Sequence, residues 1–235
     1  MFKKTAHQKM CFLSLLLLGI SASVCAQSSF TRSGINAALF DVQTSLNDDG
    51  SLRKAGGRIG YSIGGILDVG TEFNIVLSEI ESRSATETSI GIIYGLMLAK
   101  QENFAPFSIE LSGAYGYSFV DSSYYESLDL GKEGHGYDLR LHVLRDIGLG
   151  DFWDLRIGVS GAYRSYRYTI IDLSPSSEED RSVIPERETS FSGGVSVSLL
   201  RKTIRGRTYF LGAEPFVDED LNFTYTIRTG LVLEL

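Results

Sequence analysis

The sequence predicts an all-β chain, a closed antiparallel transmembrane β-barrel of about ten strands with both termini on the periplasmic side. Three observations carry that prediction. Apolar residues recur with period two from Gly57 to the last residue. The connections between the alternating runs are short and long in turn. An export segment opens the chain, and no later stretch is apolar for the length of a spanning helix.

The opening residues are MFKKTAHQKMCFLSLLLLGISASVCA. Lys3, Lys4 and Lys9 form a basic region, Cys11 to Val24 an apolar run, and Val24-Cys25-Ala26 a small-residue cleavage pattern. The run is shorter than the roughly 18–20 residues a spanning helix needs. Residues 1–26 are therefore expected to be a cleaved signal peptide, and residues 27–235 the barrel domain. Cleavage would remove both cysteines, Cys11 and Cys25, leaving no disulfide. It would also remove three of the 22 basic residues and none of the 29 acidic ones, so 19 against 29 gives a net charge of −10. That balance argues against nucleic acid, which calls for a basic stripe.

The strands follow in order. Residues 33–43 (SGINAALFDVQ) are a candidate first strand whose facing the pattern leaves ambiguous. Ile59, Tyr61 and Ile63 alternate with Arg58, Gly60 and Ser62; after a turn at Gly65-Ile66, Leu67, Val69, Thr71, Phe73, Ile75 and Leu77 alternate with polar or small residues. Ile90 to Leu98 forms the fourth strand and Phe107 to Phe119 the fifth. Tyr137 to Val143, Leu155 to Tyr163 and Phe191 to Leu199 continue the scheme. A less regular strand spans 207–217, where Pro215 suggests an end or a bulge. The last strand is FTYTIRTGLVLEL.

Short turns are expected near 65–66, 100–105, 147–151 and 201–206, and longer polar loops at 44–55, 80–87, 121–134, 169–187 and 218–222. That alternation is characteristic of outer-membrane barrels, with the short turns in the periplasm. A soluble sandwich also alternates, but its outward face is polar. Here the less greasy face is mainly Gly, Ser and Ala with scattered charges, and the greasy face carries Tyr and Phe near strand ends. In lipid every backbone group needs a partner, so the sheet must close. Tyr115, Tyr117, Phe119, Trp153, Tyr163 and Tyr225 are the expected membrane-interface aromatics.

The other face points into the barrel. It places Arg58, Arg140, Arg156, Arg164, Arg228 and His142 in the lumen with Glu72, Glu110, Asp138, Glu214 and Glu234. Two readings follow. The charges pair and plug the lumen, since unpaired buried ions each cost several kcal/mol; or they line a narrow channel. Barrels of about eight strands are filled by side chains, whereas water-filled porins have about sixteen or more, so the plug is preferred.

This layout resembles the small outer-membrane β-barrel proteins of Gram-negative bacteria, porin-like and adhesin-like, over residues 33–235. The resemblance rests on the alternating strands, on GYSIGGILDVGTEF and on the closing strand. It implies location in the outer membrane, contact with its lipid and lipopolysaccharide, and a last strand read by the barrel-assembly machinery. The assembly signal would comprise Tyr225, Ile227, Leu231, Leu233 and Leu235. The family usually ends that strand on an aromatic residue; this chain ends on Leu235.

No enzyme is expected. Ten strands is also the number in the omptin proteases, whose rims carry acidic and histidine residues. His135 with Asp121, Ser122 and Ser123 would be the rim hydrolase here, without any fixed-spacing motif around them. GVSG at 158–161 is not a nucleophile elbow. Asp48-Asp49, SSEED at 176–180 and DED at 218–220 lack the spacing of a calcium loop, so neither metal nor cofactor is expected. The expected role is a non-enzymatic barrel, structural or presenting extracellular loops for adhesion or ligand contact, above all 169–187. A narrow porin-like channel is the alternative, and a rim hydrolase the third.

Overall fold

A computed structural model of the chain describes residues 34–80, 83–101, 106–128, 130–172 and 184–235. Residues 1–26, the expected signal peptide, and most of the 169–187 segment lie outside the described residues. Ten strands run in order: β1 (Ala37–Asn47), β2 (Leu52–Ile63), β3 (Leu67–Ile80), β4 (Arg83–Ala99), β5 (Ser108–Ser122), β6 (Leu130–Gly148), β7 (Trp153–Asp172), β8 (Ile184–Lys202), β9 (Arg207–Asp218) and β10 (Phe223–Glu234). A single helical turn, α1 (Ser123–Glu126), precedes β6. Each strand pairs antiparallel with its sequence neighbours, and β1 pairs with β10 from Ala37↔Glu234 to Asn47↔Thr224, which closes the barrel.

The first strand is real, and its facing is now settled. Ala37, Leu39, Asp41, Gln43 and Ser45 are buried inside, in strict alternation with half-buried neighbours. Three expected loops are half or more strand. The segment 44–55 contains the end of β1 and the start of β2, 80–87 contains the start of β4, and 121–134 holds α1 and five residues of β6. Their outward residues are polar, so period two in apolarity fades although period two in the backbone continues. Pro215 neither ends nor bulges its strand. The β8–β9 register is the same at Gly194↔Phe216 and Val197↔Ala213, with only the ladder between them interrupted, as a residue without an N–H requires.

The wall is uneven. β6, β7 and β8 have 19, 20 and 19 residues, against 11 or 12 in β1, β2, β9 and β10. Crossing a bilayer takes about 9–11 tilted residues. The surplus stands on the side opposite the short turns. The turn between β2 and β3 is tight because Gly64 and Gly65 both adopt positive φ, at 61° and 65°.

Large apolar side chains cover the outside. Ile59, Ile90, Ile92, Leu98, Val159, Phe191 and Leu211 are each at least half exposed. On β4 the outward series runs nine residues, Ile90 to Leu98. No described helix is long and apolar enough to cross a membrane, and the strands cross instead. A closed sheet wrapped in exposed aliphatic residues is the solution lipid demands, and the protein is an outer-membrane β-barrel.

Candidate functional site

The lumen is built in layers, because inward residues alternate on every strand. Its floor, near the short-turn end, is apolar. Leu39, Leu200, Phe210 and Val232 point inward from four strands, none more than 4 % exposed, and pack with Ala37, Ile93 and Ala114.

Above and around this floor lie the charges. Arg228 on β10 donates from Nε to Asp41 on β1 at 3.0 Å, also from Nη2, and its Nη1 lies 3.8 Å from Glu214 on β9. Arg58 meets Glu72 at 3.1 Å, its direct cross-strand partner. Arg140 forks onto Asp138, two residues back on the same inward face, at 2.9 and 3.2 Å. Arg156 forks onto Asp146, its partner across the β6–β7 ladder, at 2.6 and 2.7 Å. His142 and Glu110 are buried opposite one another on β6 and β5. Glu234 sits apart at the periplasmic rim, against Gly206.

Lys54 and Arg164 differ. Among the described residues neither has a carboxylate within ion-pair distance, although both lie in electrostatic reach of that same cluster. With Arg58, Glu72, Asp138 and Arg140 they line a cavity of about 50 Å³. That is room for roughly three to five waters. A second cavity, near His142, Arg156, Phe210 and Glu214, is about 10 Å³. Toward the extracellular end Tyr166 and Tyr168 stack at 6.0 Å, Arg164 lies 5.3 Å over the first ring and Lys132 4.5 Å over the second. The Tyr168 hydroxyl donates to Glu87 at 3.1 Å. These tyrosines lie on glycines of β6: a Cβ on Gly136 would sit 2.7 Å from Tyr166 carbons, and one on Gly134 would sit 2.5 Å from Tyr168.

Asp41, Lys54, Glu87, Asp146, Tyr166 and Tyr168 are lumenal residues that sequence reasoning missed. Lys54 and Glu87 fell in segments read as loops, and Asp41 on a strand of ambiguous facing. Extending the backbone alternation past the apolar runs would have found all but Asp41.

The six aromatics expected at the membrane interface all face outward. Tyr115, Phe119 and Tyr225 are exposed toward the extracellular end, Tyr117 and Tyr163 are partly covered there, and Trp153 lies at the periplasmic end under Arg201 at 5.5 Å. Tyr163 packs on Phe191 at 4.7 Å and on Tyr137 at 5.9 Å. Of the closing-strand residues, Tyr225, Ile227 and Leu235 are exposed and Leu231 and Leu233 half-buried.

The rim imidazole and carboxylate do not come together. His135 faces outward, 6.4 Å from the Tyr115 ring, and pairs with Tyr117. Asp121 pairs with Thr86, four residues farther along β5, about 13 Å. Among the described residues no three His, Cys, Asp or Glu converge as metal ligands would. The acidic turns are tied internally instead. Asp218 accepts N–H bonds from Asn222 and Asp220 at 2.9 and 3.0 Å, and the Asn222 bond foremost holds its carboxyl below the usual aspartate range. In the β1–β2 turn Ser51 does the same for Asp49.

No protein-family model matches the sequence, and no curated protein does. Solved structures similar to this chain include the translocator domain of the autotransporter NalP from Neisseria meningitidis, at 12% identity over 98% of this chain and 96% of that one, TM-score 0.49. The β domain of the Bordetella autotransporter BrkA shares 7% identity over 87% and 100%, TM-score 0.44. The outer membrane protease OmpT from Escherichia coli shares 8% over 86% and 94%, TM-score 0.37.

Proposed function

We propose that this outer-membrane barrel is a non-enzymatic, non-conducting scaffold that presents the extracellular extension of β6, β7 and β8 for adhesion or ligand contact. The observation that carries the reading is the lumen: paired charges stand over an apolar floor, and its cavities hold only a few waters. A dry constriction of Leu39, Leu200, Phe210 and Val232 would impose a desolvation cost of several kcal/mol on any passing ion. The separation of His135 from Asp121 supports the absence of rim hydrolysis. The closing strand, outward and apolar, is suited to recognition by the barrel-assembly machinery.

A narrow anion-preferring channel is the second reading, favoured by Lys54 and Arg164, the two lumenal cations without a close carboxylate among the described residues. Refolding residues 27–235 in detergent, checking heat-modifiable gel mobility and recording planar-bilayer currents separates the two. A folded, silent barrel is expected. Reproducible unitary steps with anion selectivity that is lost in Lys54→Gln/Arg164→Gln would establish the channel. His135→Ala should leave any background lipid or peptide hydrolysis unchanged, and a clear loss would revive the enzyme.

A further inference from the structure

One row of outward residues crosses four strands toward the extracellular end. Tyr117 pairs with His135, His135 with Arg167, and Arg167 with Arg187. His135, Arg167 and Arg187 are all exposed on the outer face. Like charges directly opposite on neighbouring strands repel and destabilise the pair. Among the described residues nothing relieves it, since neither arginine makes an ion pair or a side-chain hydrogen bond there. The described carboxylates flanking the pair on β6 and β8 are engaged elsewhere. Glu186 and Glu188 turn to the lumenal side, 2.7 and 3.8 Å from Lys132, and Glu133 accepts the Tyr117 hydroxyl.

Depth fixes the rest. Arg167 lies four residues beyond Tyr163, and Arg187 four before Phe191, both toward the extracellular end. The rings of Tyr163 and Phe191 are in contact, and Tyr163 is one of the aromatics expected at the membrane interface, so we take this contact as the boundary. Four residues of tilted strand rise about 10 Å, and long arginine side chains lean back toward the boundary. The pair therefore stands at headgroup height.

We infer that Arg167 and Arg187 bind a phosphate of an outer-leaflet lipid headgroup against the barrel wall. Two guanidinium forks converging on one phosphate give charge-assisted bidentate bonds and turn the cross-strand repulsion into shared attraction. The acidic balance of the whole chain makes a cationic pair at this height a local exception rather than part of a general basic surface.

The test compares folded wild type with Arg167→Gln/Arg187→Gln, using Arg205→Gln in the periplasmic turn as a charge control. Thermal unfolding is followed by loss of heat-modifiable mobility. In plain zwitterionic detergent the double variant should melt at or above wild type, since repulsion is removed. In the same detergent with diphosphoryl lipid A the order should reverse, and lipid A should be retained about tenfold more weakly by the variant. Arg205→Gln should follow wild type throughout, and dephosphorylated lipid A should produce no reversal. An order that is the same with and without lipid A overturns the proposal. So does a reversal produced by millimolar inorganic phosphate alone, which would assign the pair to a soluble anion.

Discussion

Arg228 on the last strand donates to Asp41 on the first, across the seam that closes the barrel. Their side chains are 8% and 0% exposed, and Glu214 on β9 approaches from the other side at 3.8 Å. Leaving one member of such a buried pair alone strands an uncompensated charge.

Arg228→Ala should therefore cost about 3–5 kcal/mol, and Asp41→Ala a similar amount, while Asp41→Ala/Arg228→Ala should recover part of either loss. Urea unfolding in detergent, read from the fluorescence of the single tryptophan, Trp153, measures this. Strictly additive losses would show that the two residues do not act as a pair.

Arg156 and Arg164 are separated by the structure although both point inward. Arg156 is buried and forked onto Asp146, whose backbone N–H is in turn accepted by Gln101 at 2.7 Å. Arg164 is exposed to the lumenal cavity. Arg156→Ala should cost about 2–3 kcal/mol and Arg164→Ala less than about 1 kcal/mol. Equal losses in the same unfolding assay would contradict this assignment.

Two glycines give an internal contrast. A methyl on Gly136 would meet the Ser165 carbonyl at 2.3 Å and Tyr166 at 2.7 Å, whereas one on Gly161 meets nothing within 4 Å. Gly136→Ala should destabilise by about 1–3 kcal/mol, and Gly161→Ala should be neutral or slightly stabilising.

The β9–β10 turn should respond to acid. The Asp218 carboxyl titrates below its unfolded value, so its contribution is present above the usual aspartate range and lost as pH falls through the lowered one. Hydrogen exchange at the Asn222 amide should accelerate relative to Ala-substituted reference loops on acidification in wild type. Asp218→Asn should exchange faster at neutral pH and lose that dependence.

Much of the architecture was legible because lipid imposes a rule that sequence displays directly. Outward residues must be apolar where the wall touches hydrocarbon, so Ile90 to Leu98 or Phe191 to Leu199 announce their strands. Outside the hydrocarbon that rule lapses. Lys54, Glu87 and residues 130–134 therefore read as loop while the ladder runs on through them, held by the backbone bonds of neighbouring strands. The lumenal list was legible for the same reason, since parity alone places Arg58 or His142 inside.

Which lumenal charges meet was not. Asp138 and Arg140 share a strand and could be matched from sequence. Arg228 finds Asp41 only because the closing register sets Gln43 opposite it, and Arg167 faces Arg187 only through the β7–β8 register. The sequence by itself determined a closed, lipid-facing sheet, because period and polarity are local properties of the chain. Tertiary structure decided the pairing of charges inside and the opposed arginines outside, because register is set by how all ten strands close together.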